Sequence, residues 1–298
     1  MATLKNVTFN DTGSLIVPVG TTVQRPTLAK GIIRYNTTST RFENYNEQDE
    51  WGGLVTSGLR VHLDANNSSS YGGSGTSWAD ISGNGYNFAW GSTPTYRSDT
   101  KRAWFETLNN RAIGPASNGI GLSNTTGYTI IMISRTGDSN NETPGFATAN
   151  NSGFKFYTTT TAAGGATRGI FTHPAWSSGS TIFFDQGGCC GEAQRISVST
   201  NQVSDLASSI HTWTMWGFRS TIGTRSIYRN GREIMGTNVR ASDLNLSATA
   251  INLGGSDEYG GANSVWDGKL NLFLVYNRGL TDNEMFRLFK HYKSRLDA

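Results

Sequence analysis

Charge is scarce in this chain: 16% of its 298 residues are Asp, Glu, Lys or Arg, and the formal net charge is +3. No basic stripe with interleaved aromatics is present, so the electrostatic footprint that holds a phosphate backbone is missing and nucleic acid is excluded as an expected partner. Long apolar runs are missing too. None approaches the ~20 residues needed to cross a bilayer, and the first residues lack a basic segment, an apolar stretch and a small-residue cleavage site. The expectation is a soluble protein made without a secretion signal and not inserted in a membrane. The only two cysteines, Cys189 and Cys190, are adjacent, which excludes an ordinary disulfide framework between distant segments. They read as reduced small residues in a Gly-flanked loop, or else as a strained redox pair or an intermolecular bridge.

Catalytic signals are also lacking. The four histidines, His62, His173, His211 and His291, show no i, i+4 spacing and no paired cysteine ligands, so no zinc site is expected. There is no G-x-S-x-G elbow and no phosphate-cradling Gly-rich loop with Lys. Glycosidases need two carboxylates flanking the scissile bond, yet no Glu-x-Asp-x-x-Glu run occurs. Glu47 with Asp49 and Glu50, and Asp257 with Glu258, sit in turn-like contexts and read as solvated loop charges. A non-enzymatic protein is expected.

What the chain does have is Gly (36 residues) together with abundant Ser, Thr and Asn, a composition that suits short strands joined by turns. Its length fits one large all-β core plus an appendage. Strands are predicted at Leu59 to Leu63, Ala103 to Thr107, Tyr128 to Ser134, Phe154 to Thr158, Gly169 to Thr172 and Thr181 to Asp185. Further strands are predicted at Arg195 to Ser199, Thr212 to Arg219, Arg225 to Arg229, Glu233 to Gly236 and Ala250 to Leu253. Asn230-Gly231 is a favoured two-residue hairpin turn, since both positions tolerate positive φ. Such a density of strands implies two antiparallel sheets. Trp78, Trp90, Trp104, Trp213, Trp216 and Trp266 are expected to fill the core.

The C-terminal segment carries the clearest local signals. In KLNLFLVYNRGL the alternation places Leu270, Leu272, Leu274 and Tyr276 on one face and Asn271, Phe273 and Val275 on the other. Thr281 and Glu284 form a capping box, with Leu280 stapled to Met285, and open one short helix. Met285, Leu288, Phe289 and Tyr292 form its apolar stripe, while Lys290, Lys293 and Arg295 favour the negative end of its dipole.

Residues 1 to about 56 read differently. Ile32, Ile33 and Tyr35 predict a strand, Thr37 to Thr40 a turn, and Arg41 to Tyr45 a returning strand, a hairpin with too little apolar area for its own core. The string GTTVQRP, followed by GIIRYNTTSTRFENYN and Trp51, resembles a short β-rich module of tail-fibre and other virion proteins of tailed bacteriophages. Gly20, Thr21, Gln24, Arg34, Tyr35 and Asn36 are among the residues that carry it. From residue 57 on, SYGGSGTSWADISGNGYN, WTMWGFRSTIGTRSIYRNGREI and VYNRGLTDNEMFRLFKHYKSRL resemble the laminin-G-like, concanavalin-A-like jelly-roll family. Together these imply an all-β jelly roll, 57–298, with a small N-terminal β-hairpin arm, 1–56, and one C-terminal helix.

The resemblances imply a structural protein at the virion surface, made and assembled in the host cytoplasm. Its arm would dock on other virion proteins, it would form a homo-oligomer such as a trimer, and its jelly roll would touch a host-surface glycan. The rivals are a capsid decoration protein without sugar binding and a polysaccharide-degrading enzyme on the same fold. Sugar recognition needs an aromatic plate and nearby polar groups. Tyr71, Trp176 and Tyr259 meet that description, with Asp185, Asp257 and Asn263 as hydrogen-bonding neighbours. The alternative is that each aromatic simply covers the core. No cofactor is required, and calcium is the one candidate: Asp64, Asp80 and Asn84 could join a calcium shell, or Asp80 and Ser82 to Gly85 brace their turn. The spacing favours bracing, because six oxygen ligands cannot be read from it.

Overall fold

The structure is a computed structural model that describes residues 17–21, 24, 33–37, 41–44, 53–107, 110–137, 153–157, 168–176, 181–254, 266 and 268–296. The chain divides into two compact units, Met1–Gly53 and Leu54–Ala298.

In the first unit β1 (Val19–Gly20), β2 (Ile33–Asn36) and β3 (Arg41–Asn44) form one sheet. The hairpin of β2 and β3 is antiparallel, and β1 adds to β2 in parallel. Ile32 and Tyr45, expected in this hairpin, lie outside the described residues. The motif residues interlock. Arg34, 3% exposed, donates to the carbonyls of Gln24 and Thr21, both at 2.9 Å, and the Gln24 side chain accepts from the Thr21 amide. A Cβ at Gly20 would meet the Arg34 guanidinium at 2.8 Å, so a side chain there would displace the arginine.

The second unit begins with β4 (Leu59–Asp64), β5 (Ser77–Trp78), β6 (Phe88–Trp90), β7 (Thr95–Ser98), β8 (Ala103–Glu106) and β9 (Ala112–Ala116). There follow β10 (Tyr128–Thr136), β11 (Phe154–Tyr157), β12 (Arg168–Trp176), β13 (Thr181–Gln186), β14 (Arg195–Ser199) and α1 (Leu206–Ile210). Last come β15 (Thr214–Ser220), β16 (Arg225–Arg229), β17 (Arg232–Thr237), β18 (Ala250–Leu253), β19 (Gly268–Tyr276) and α2 (Asp282–Tyr292). One sheet runs β17-β16-β15-β10-β19-β8-β7 with β4 also beside β19; the other runs β14-β13-β12-β11-β18-β9-β6-β5. This is the expected all-β sandwich. Trp78, Trp216, Trp266, Phe105 and Phe154 fill the space between the sheets. Trp104 is only partly buried, against a second cluster.

That second cluster lies under α2. Met285, Leu288 and Tyr292 of the helix pack on Ile131, Leu272, Leu274 and Tyr276. Approach is close: a Cβ at Gly217 would run into the Met285 methyl group. The capping box is present as expected, with Glu284 N donating to Thr281 Oγ1 (3.2 Å) and Thr281 N donating to Glu284 Oε2 (2.8 Å). Thr281→Ala should therefore cost about 1 kcal/mol, read as a lower denaturant midpoint at unchanged slope.

The expected facing of β19 needs one correction. The register with β10 shifts between Ile133 and Ser134, passing from Leu272 to Leu270, so Asn271 is a bulge residue. A bulge reverses the alternation. Leu270 therefore joins Phe273 and Val275 between the sheets, while Leu272, Leu274 and Tyr276 face α2. Asn271 is fully buried and uses its amide to bind Asn66 Oδ1 (2.5 Å) and the Ala103 carbonyl (2.6 Å).

Candidate functional site

Of the residues expected to contact sugar, the two whose side chains are described, Tyr71 and Asp185, are both buried. Tyr71 is corrected from an exposed plate to a core residue. It is 3% exposed, packs on Tyr96 and Phe105 with centroids 4.9 and 4.7 Å away, and donates its hydroxyl to the Gly75 carbonyl. Asp185 is corrected likewise. It is fully buried, accepts from Arg168 Nη1 at 2.5 Å and is gripped by Arg195 through Nε and Nη2 at 2.5 and 2.7 Å. Trp176 pairs with Thr181 in β12. Its side chain, and Asp257, Tyr259 and Asn263 altogether, lie outside the described residues.

The calcium candidates are engaged with protein partners. Asp80 Oδ1 accepts from the His62 and Ser82 amides, and Oδ2 from the Ser82 hydroxyl and the Tyr86 amide. Asn84 donates to the Leu59 and Arg60 carbonyls. These are bracing contacts. Asp64 forms a bidentate pair with Arg295 at 2.7 and 3.0 Å. Among the described residues no group of three His, Cys, Asp or Glu could hold a metal ion. Cys189 and Cys190, expected reduced or reactive, are joined to each other by a disulfide in the β13–β14 turn.

A trough not foreseen from the sequence runs beside β16, β17 and the start of α2. One depression of about 470 Å³ is lined by Arg219, Thr224, Ser226, Glu233, Thr237 and Asn238. A second, of about 340 Å³, is lined by Arg232, Glu233, Asp282, Asn283 and Phe286. They adjoin at Glu233. The hairpin that builds the wall has Asn230 at φ 51° and Gly231 at φ 77°, the two-residue turn expected there. A Cβ at Gly231 would lie 2.8 Å from the Phe286 Cα, so this turn seats directly on α2.

The polar centre of the trough is preorganised. Tyr228 donates to Asp282 Oδ1 (2.6 Å), with Glu233 Oε2 at 3.2 Å, and Arg219 reaches the same two carboxylates at 2.8 and 3.2 Å. The guanidinium lies 4.8 Å from the Tyr228 ring centroid. The Tyr228 bond, outweighing a small burial effect and aided by Arg219, holds Asp282 below the usual carboxylate range. Burial and the Asp282 hydrogen bond push Tyr228 far up. Tyr228 is thus a neutral donor and Asp282 an ionised acceptor at neutral pH. Phe286, 36% exposed, supplies apolar surface at one end.

In sequence, Trp and Tyr in loops mark a sugar site, and neither lines this trough. The available signal was Phe286 itself, an aromatic lying off the apolar stripe of α2. A further cavity, about 240 Å³, is lined by Asn124, Gln186, Thr221, Ile222, Arg240 and Asp243. Its amides are spent on one another: Tyr128 donates to Gln186, Gln186 to Asn124 and Asn124 to Asp243.

No family model matches the chain, and no curated protein matches its sequence. Solved structures do match in fold. The binding domain of Paraclostridial mosquitocidal protein 1 aligns with a TM-score of 0.54 over 79% of this chain and 52% of that one, at 17% identity. The binding domain of botulinum neurotoxin DC, solved with rat synaptotagmin II, gives 0.53 over 80% and 52%, at 13% identity. Trypanosoma rangeli sialidase gives 0.51 over 78% and 32%, at 12% identity. The chain spans about half the length of the two toxin domains and a third of the sialidase. What is shared at these identities is the β-sandwich.

Proposed function

We propose that this chain is a non-enzymatic display protein of a tailed-phage virion whose sandwich binds a host-surface glycan in the trough. The observation that carries the sugar reading is the combination of exposed Phe286 with Glu233, Asp282 and Asn283 at one depression, an apolar surface ringed by hydroxyl-binding groups. The similar folds include two named binding domains and a sialidase, which is in keeping with a recognition role. The virion reading rests on the N-terminal motif, whose residues Gly20, Thr21, Gln24 and Arg34 form one interdependent set. On this proposal the N-terminal unit docks on other virion proteins, and copies gathered as a homo-oligomer raise weak glycan contacts to useful avidity. No cofactor takes part, and the protein is made in the host cytoplasm and displayed at the virion surface.

The test is binding of the purified full chain to host cells and to a glycan array. Phe286→Ala should weaken binding about tenfold or more, as loss of a central aromatic contact does. Binding that persists unchanged removes the trough from the proposal. Complete lack of sugar binding favours a decoration protein, and oligosaccharide release that Glu233→Gln or Asp282→Asn abolishes makes it an enzyme.

A further inference from the structure

We infer, building on the glycan reading above, that the trough takes an internal segment of a neutral, linear hexose chain laid across both depressions, with Glu233 at the junction. Three observations carry this. First, Glu233 borders both depressions, so a ligand touching it from one side is already at the edge of the other. A site for a single terminal sugar would close around one ring, whereas here a second depression lies on the other side of Glu233.

Second, the backbone is shaped to keep Glu233 at that junction. The register of β16 with β17 shifts between Ile227 and Tyr228, passing from Met235 to Glu233, a bulge that re-aims the neighbouring side chain. The carboxylate then extends over Gly236, where a Cβ would lie 2.5 Å from Glu233 Oε1. Oε2 accepts from Arg219 and Tyr228, while Oε1 has no hydrogen bond to the described residues and keeps its acceptor capacity.

Third, the charges lining the trough balance one another. Glu233 and Asp282 both border the trough, and the Arg219 guanidinium already binds the two of them. Arg232 lines the second depression as well, so two carboxylates stand beside two guanidinium groups and no net charge draws an ionised sugar. Hydroxyls meet acceptors at Glu233 and Asp282, the two carboxylates that line the depressions.

Titration calorimetry of the full chain with linear glucan, mannan and galactan fragments of one, two, four and eight residues tests the inference. At least one series should gain about tenfold or more in affinity between one residue and four, then level off. Gly236→Ala should remove most of that gain by displacing the Glu233 carboxylate; Gly236 has an ordinary φ, so the variant is expected to fold. Glu233→Gln should reduce it less, since the amide keeps an acceptor. Equal affinity for one and four residues, tighter binding of an acidic polysaccharide on the array, or no binding by any neutral fragment overturns the inference. In the first two outcomes the glycan reading itself stands. If no glycan of any kind binds, that reading falls with it.

Discussion

Asp185→Ala should destabilise the sandwich by about 3 to 5 kcal/mol, one of the two largest effects expected of a single substitution here. The carboxylate is fully buried and joined to Arg168, whose side chain is 2% exposed, and to Arg195, at 20%. Removing the anion leaves two guanidinium groups with little water to replace it. A third arginine adds to the cost. Arg225 is fully buried and has its pKa lowered by burial, an effect that the nearby Tyr128 and Asp185 oppose. Loss of Asp185 therefore weakens the support of three cations at once, two of them buried. A comparison on the surface fixes the scale: Arg97 and Glu106 meet at 2.6 Å, but the arginine is 47% exposed, and Glu106→Ala should change stability by under about 1 kcal/mol. Chemical denaturation of both variants decides the matter. Similar, small losses for the two would mean that Asp185 is not an electrostatic keystone and that its geometry is incidental.

Such a role was not legible in the sequence, where Asp185 read as a ligand neighbour. Local signals fared better. The Thr281–Glu284 capping box, the Asn230-Gly231 turn and most strands followed from spacing, since each is decided within a few residues. The facing of Leu270 did not, because the bulge residue Asn271 is held by Asn66 and the Ala103 carbonyl, partners distant in the chain. Strands β5 and β6 are two and three residues long, too short for a period to register. Strand β9 reads AIGPA, whose Gly and Pro argue against a strand until its neighbours β18 and β6 are in place. The trough was hidden for the same reason. Arg219, Glu233 and Asp282 lie on three different elements, and only the antiparallel register, the β17 bulge and the docking of α2 bring them together.

The second large effect concerns Asp64, read from sequence as a calcium candidate and found instead tying the end of β4 to the C-terminal segment through Arg295. Burial alone would raise its pKa, yet Arg295 and the His62 imidazole, 3.8 Å away, bring it from 3.8 to about 2. A carboxylate whose folded pKa lies below its unfolded value adds stability above the unfolded pKa and loses it as pH falls through the folded one. Each tenfold change in proton affinity is worth ~1.4 kcal/mol, so Asp64 should contribute about 2.5 kcal/mol at neutral pH and surrender it between about pH 4 and pH 2. Asp64→Asn should cost about 3 kcal/mol at pH 7, since Arg295, only 17% exposed, is left without its anion. The gap between the wild-type and variant unfolding free energies should then narrow steadily below pH 4 and nearly vanish near pH 2, where Asp64 is itself becoming neutral. Asp99, Asp205, Asp282 and Glu284 also carry lowered pKa values, but they are common to both proteins and cancel in the difference. Urea titrations at pH 7, 4 and 2 measure that difference directly. A gap that stays constant down to pH 2 would show that the ionised state of Asp64 does not hold the C-terminal segment in place.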